Sequence, residues 1–147
     1  MQTTSIDTLE LFEGWFEGNA DTHVRAAFPI SCGTGAKSST VVYFELDPGQ
    51  HLASHTDSAE ETLLILSGTG EATIGDEQGP VQTGTLAVVP ALVPHGVANT
   101  GKETLRVVGF FSSNTVLSVF DEPMQPFGTR IFVTPMVEEG SQVTSDA

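Results

Sequence analysis

Cysteine is almost missing from this chain: Cys32 is the only one in 147 residues. That excludes an internal disulfide framework and any zinc site built from several thiolates. Basic residues are nearly as scarce, with 5 Lys and Arg against 19 Asp and Glu and a formal charge of -14. A surface this acidic repels phosphate backbones, so no nucleic-acid partner is expected. Long apolar runs are lacking too, and the longest are short stretches such as 107–111. A membrane-spanning helix needs roughly twenty apolar residues, so no membrane role is expected. The opening MQTTSIDTLELF has neither the basic start nor the apolar core of a secretion signal, which points to a cytoplasmic protein. What is present suffices for one domain: 39% of the residues are hydrophobic, in a chain of about one domain's length.

Helical periodicity occurs only at the start. Within 5–19, Leu9, Phe12 and Phe16 recur at helical spacing with Leu11 and Trp15 beside them, and Glu10, Glu13 and Glu17 lie opposite. Gly18 and Asn19 read as its stop. Beyond it come short β-rich runs at 24–30, 40–46, 61–67, 71–74, 86–89, 104–111, 115–120 and 130–134, separated by Gly, Pro and Asp turn signals. Strands at this spacing without intervening helices predict an antiparallel sandwich or barrel. The expected organisation is a helical extension over 1–22, an all-β barrel over 23–136 and a polar, frayed tail over 137–147.

The chemistry-bearing residues concentrate in two segments. The first runs Gly49-QHLAS-His55-Thr-Asp57-SAE-Glu61-TLLILS-Gly68, and the second Gly84-TLAVV-Pro90-Ala-Leu92-VP-His95-GVA-Asn99. On a strand, residues two apart point to the same side, so His55 and Asp57 project together, and His51 shares their parity. Glu61 follows a turn at Ser58 and Ala59 and opens the next strand. His95 follows Pro94, which holds Val93 extended. A barrel would bring His55, Glu61 and His95 to one interior point. Two imidazoles with one or two carboxylates suit a divalent first-row metal. The carboxylate content favours iron or manganese, with zinc, nickel and copper as alternatives. Asp57 reads as a ligand, as an acceptor that orients His55, or as a turn former; His51 is the substitute ligand. Glu60 and His23 read as surface residues, and Cys32 as a buried, inert thiol.

Together the two segments resemble the paired motifs of the cupin superfamily. Gly49, His55, Glu61, Gly68, Gly84, Pro90, His95 and Asn99 fall at the family's spacing, while Asp57 replaces its second His and Leu92 a Gly. The resemblance implies an antiparallel jelly-roll barrel holding one divalent transition-metal ion. It also implies a metal-dependent enzyme on a small organic substrate, foremost an oxygen-dependent one of the quercetinase-like, dioxygenase type. His55, Glu61 and His95 are then the expected metal ligands, with Asp57 beside them, and Glu61, if it can detach from the metal, is the expected catalytic base, with Asp57 second. Two alternatives stand beside it: a redox-neutral isomerase, lyase or cyclase, and a non-catalytic binding or sensor protein. No Lys or Arg falls in either segment, so a neutral or metal-chelating substrate is expected rather than a polyanion. The aromatic N-terminal segment and the open sheet edges predict a homodimer.

Overall fold

The computed structural model describes residues 1–135; the tail expected at 137–147 lies outside the described residues. Twelve strands account for nearly all of the regular structure: β1 Phe12–Phe16, β2 Asn19–Ile30, β3 Thr40–Leu46, β4 His51–Asp57, β5 Glu61–Ser67, β6 Thr69–Ile74, β7 Glu77–Gln82, β8 Leu86–Val89, β9 His95–Asn99, β10 Leu105–Phe111, β11 Val116–Gln125 and β12 Thr129–Thr134. Two 3₁₀ turns, Ile6–Thr8 and Cys32–Thr34, are the helical content among the described residues, and no helix there is long and apolar enough to cross a membrane.

The helix expected over 5–19 does not form. Phe12–Phe16 is a strand that pairs with β2 on one side and β11 on the other. The same residues satisfy a period of two as well as one of 3.6: Gly14 and Phe16 are buried, Glu13 is exposed. Tertiary pairing decided between the two readings, and Gly18, at φ 79°, turns a hairpin instead of ending a helix. A side chain at Gly14 would also collide with Met124 of β11.

All pairings are antiparallel, in the order β7-β6-β9-β4-β11-β1-β2-β3-β10-β5-β8, with β12 on the free flank of β11. The sheet rolls so that β2, β3, β5 and β10 face β4, β9 and β11 across one interior. Between them lies a core that includes Leu46, Leu105, Val107, Val89 and Val116, each almost fully buried. Each such aliphatic side chain contributes about 1.5–3 kcal/mol. The polar strand β7, with Pro80 in it, carried no strand signal because it is an edge strand, where a residue without an N–H is tolerated.

The motif positions are largely structural. Gly49, Gly68 and Gly84 all sit at positive φ in turns. Asn99 is buried; its side-chain amide donates to the Leu46 and Glu103 carbonyls, each at 2.8 Å, and its oxygen accepts from the Gly101 N–H at 2.9 Å. Leu92, where the motif has Gly, is the non-glycine residue that takes positive φ (67°) among the described residues.

Candidate metal centre

Strand β4 delivers His55 and Asp57, β5 delivers Glu61 and β9 delivers His95; all four are buried. His55 lies directly opposite His95 in the β4–β9 pairing, and their rings are 4.3 Å apart between centroids. Asp57 Oδ2 is 3.5 Å from His55 Nε2 and 3.0 Å from His95 Nε2, and Glu61 Oε1 is 3.5 Å from His95 Nε2. One donor atom from each of His55, Asp57 and His95 falls within 4.8 Å of the others. The four residues expected to converge are brought together, but Glu61, expected as a ligand, lies outside the group whose donor atoms come that close.

His51 does not join them. Between the pairs Leu52↔Val97 and His55↔His95, β4 advances three residues while β9 advances two. This β-bulge inverts the alternation, so Leu52 and His55 both line the interior while His51 lines a shallow outer groove with Ser54 and Glu71. His51 and His55 would share a side only on an unbroken strand. Gly96, opposite the bulge, is small because a Cβ there would come within 2.7 Å of the Leu52 carbonyl oxygen. Glu60 and Cys32 are exposed, and His23 bonds Glu13 at 2.8 Å on the outside.

The surrounding hydrogen bonds orient the cluster. His55 Nδ1 donates to the Ala53 carbonyl and His95 Nδ1 to the Val93 carbonyl, both at 2.9 Å. A carbonyl can only accept, so Nδ1 carries hydrogen in each ring and Nε2 is the nitrogen presented to the interior. The Ser118 hydroxyl on β11 donates to Asp57 Oδ1 at 2.6 Å, and the Leu92 N–H donates to the Asp57 carbonyl at 2.8 Å. Asp57 Oδ2 and His95 Nε2 are left buried without a hydrogen-bond partner, close to one another but misaligned. Two orphaned polar atoms facing one point are costly unless something joins them. A divalent cation fits: two imidazole nitrogens and a carboxylate oxygen are donors such an ion takes.

Electrostatics separate the two carboxylates. Burial works against the charge on Asp57, but His55, His95 and Ser118 outweigh it and hold Asp57 well below the usual carboxylate range. Burial, reinforced by the charge of Asp57, pushes Glu61 above its ordinary value, with His95 partly offsetting it. Burial also opposes a proton on His95, but Asp57 and Glu61 prevail and push it up to about 10. The metal-free cluster thus favours an ionised Asp57, a protonatable Glu61 and an imidazole at His95 that takes a proton more readily than usual.

These groups form the floor of an apolar cavity whose walls include Phe12, Phe28, Phe44, Phe111, Phe120 and Phe132. The cavity is about 80 Å³, several times the roughly 10–15 Å³ that one water needs, so a compact organic molecule fits. Phe120 stacks on the His55 ring, with centroids 4.6 Å apart. No Lys or Arg lines this space. Arg25 is tied to Glu45 and Asp47, Arg106 to Tyr43, and Arg130 to the Phe120 carbonyl. Ser118 and Gly109 belong to the site but had no motif to reveal them. A Cβ on Gly109 would overlap the Glu61 carboxylate.

Residues 42–111 match the Cupin domain family. No curated protein sequence matches the chain. Among solved structures, the polyketide cyclase RemF from Streptomyces resistomycificus is similar at 18% identity and TM-score 0.61, over 76% of this chain and 78% of that one. A predicted oxalate decarboxylase from Thermotoga maritima is similar at 18% identity and TM-score 0.64, over 76% and 99%. The oxalate decarboxylase of Bacillus subtilis, described with Mn(II) centres, gives 20% identity and TM-score 0.62 over 71% of this chain, which spans only 29% of that protein. Identities this low speak for the fold, and the matched segment contains every marker position of both motifs. The barrel has the cupin fold, and its segment 42–111 carries the match to the Cupin domain family.

Proposed function

We propose that the chain is a metal-dependent enzyme acting on a small, apolar, oxygen-bearing organic molecule, with oxygen-dependent oxidation as its leading reaction. One observation carries this reading: the inward atoms of His55, Asp57 and His95 meet at the floor of a phenylalanine-lined cavity, two of them without any partner. Two histidines and one carboxylate leaving open positions are the donor set of non-haem iron oxygenases. Manganese is the alternative, in keeping with the Mn(II) of the Bacillus subtilis neighbour. The ion would supply Lewis acidity and a place for substrate oxygen and dioxygen. Asp57, held ionised, serves as ligand. Glu61, spare in a three-ligand site, takes the substrate's hydroxyl proton at Oε1. The phenylalanine walls exclude water and orient the substrate body. A polyanion such as oxalate has no Lys or Arg to meet it there.

The buried, protonatable Glu61 beside His95 favours a second reading, redox-neutral proton transfer of the isomerase or cyclase kind, in keeping with the polyketide cyclase neighbour. The test is an anaerobically purified sample with its metal identified, followed by oxygen-electrode assays with catechol-, flavonol- and enediol-like compounds. Oxygen uptake matching substrate loss supports the leading reading. Isomeric product without uptake moves the assignment to the second. Tight ligand binding by metal-free protein with no turnover defeats both in favour of a binding protein.

A homodimer is part of the same proposal, with its basis moved from the helix to the outer sheet face. Val88, Thr62 and Phe110 lie side by side across β8, β5 and β10, and Leu86, Val88 and Phe110 are exposed. This apolar row flanks an unpaired edge strand. Sedimentation should give a dimer at micromolar concentration and a monomer for Val88→Lys; a monomeric parent protein would refute it.

A further inference from the structure

We propose that Ser118 is a positioning residue for the metal: its hydroxyl holds one oxygen of Asp57 so that the other is presented, fixed, to the ion. This rests on the metal reading given above.

The two histidines and Asp57 face different problems. Each imidazole is oriented by one bond from Nδ1 to a carbonyl two residues back on its own strand. Asp57 is shorter, has two equivalent oxygens and turns freely about its last torsion. No backbone donor from β4 reaches its carboxylate among the described residues. The constraint comes instead from β11, whose Ser118 stands directly opposite Asp57 in the strand pairing and donates to Oδ1 at 2.6 Å. Both side chains are buried, so water does not compete for this bond. With Oδ1 committed, Oδ2 is the orphaned atom 3.0 Å from His95 Nε2 and 3.5 Å from His55 Nε2.

The next inward residue of β11, Phe120, stands opposite His55 in the same pairing and stacks on its ring. Strand β11 therefore carries, at the spacing of the two β4 donors, one support for each. Ser118 thus supports the carboxylate and Phe120 the imidazole.

The test uses Co(II) as the probe, titrated into chelator-stripped full-length protein and followed by its visible absorption. Ser118→Thr keeps the hydroxyl, Ser118→Val has the shape of Thr without it, and Ser118→Ala removes the donor with little change of volume. Ser118→Ala and Ser118→Val should weaken Co(II) binding about ten- to a hundredfold and change the intensity of the visible bands, since a released carboxylate alters the coordination geometry, while Ser118→Thr should stay near the parent. A simple packing role would leave Ser118→Ala at the parent affinity and spectrum, or would move Ser118→Thr and Ser118→Val alike. Either result would overturn the inference, provided Asp57→Asn weakens binding in parallel. If the parent protein binds no Co(II), or Asp57→Asn binds as tightly as the parent, the metal reading itself falls and this inference with it. Thermal unfolding of the metal-free variants checks that they are folded, and the Ser118→Thr and Ser118→Val pair keeps the test available should Ser118→Ala fail to fold.

Discussion

Gly109 offers a sharp check on where Glu61 lies. On β10 it faces the interior opposite Leu63 on β5 and Val42 on β3. An added Cβ would overlap Glu61 Oε2 and come within 2.8 Å of Val42 Cγ1. Gly109→Ala should therefore push the Glu61 carboxylate off its seat. Overpacking of this kind costs about 1–3 kcal/mol, against a gain of about 0.4–1 kcal/mol from the stiffer unfolded chain. In a Glu61→Ala background the carboxylate is gone and only the Val42 contact resists, so the same substitution should become nearly neutral. The coupling between the two sites is then expected at about 1–2 kcal/mol, within the range for residues in contact. Urea unfolding of the four metal-free proteins measures it, reading midpoints at constant m. If Gly109→Ala costs the same in both backgrounds, Glu61 does not rest against Gly109, and the geometry assigned to the proton-transfer residue is wrong.

His55→Ala and His95→Ala should each lose most of the bound metal after identical loading, whereas His51→Ala should keep it; metal analysis decides, and a loss in His51→Ala would contradict the bulge in β4. Leu92 is 69% exposed and sits at φ 67°, a conformation costing an L-residue about 1–2 kcal/mol. Leu92→Gly should thus be neutral or stabilising by up to about 1 kcal/mol after the extra unfolded-state entropy of glycine, while Leu92→Val should destabilise; equal denaturation midpoints for both would count against strain at this position. In the metal-free protein His95 is raised from 6.5 to about 10, so its contribution to stability is full below pH 6.5 and disappears as pH rises through about 10. Asp57 is lowered from 3.8, so its contribution is present above that pH and disappears on acidification. Denaturation midpoints should fall from neutral pH toward pH 10, and His95→Asn should flatten that slope. A metal competes with the proton that His95 takes more readily than a free imidazole, so apparent affinity should rise with pH between 6 and 8; competition titrations showing no pH dependence would oppose that raised pKa.

Much of this was legible in the sequence because it depended on local constraints. Turn glycines at fixed intervals, a proline ahead of His95 and alternation within 40–46, 61–67 and 104–111 are properties of a few neighbouring residues. So was the shared side of His55 and Asp57, two apart on the unbulged part of β4. These patterns by themselves determined an all-β barrel with two histidines and two acids drawn together.

What lay beyond the sequence depended on partners distant along the chain. Residues 12–16 fit helix and strand equally, and only the unfilled edges of β2 and β11 decided for a strand. His51 was lost to a bulge in β4 that shows only in its register against β9, where Gly96 leaves room for the Leu52 carbonyl. Ser118 and Gly109 enter the site because β11 and β10 lie beside or facing the donor strands, and no spacing within their own segments records it. The separation of the carboxylates is tertiary as well: Asp57 and Glu61 are four residues apart, yet closure of the barrel gives one a hydroxyl and two imidazoles and the other burial beside a like charge. Periodicity encodes which way a side chain turns along an unbroken strand, whereas the charge state and partners of that side chain are set by whatever the closed barrel places opposite it.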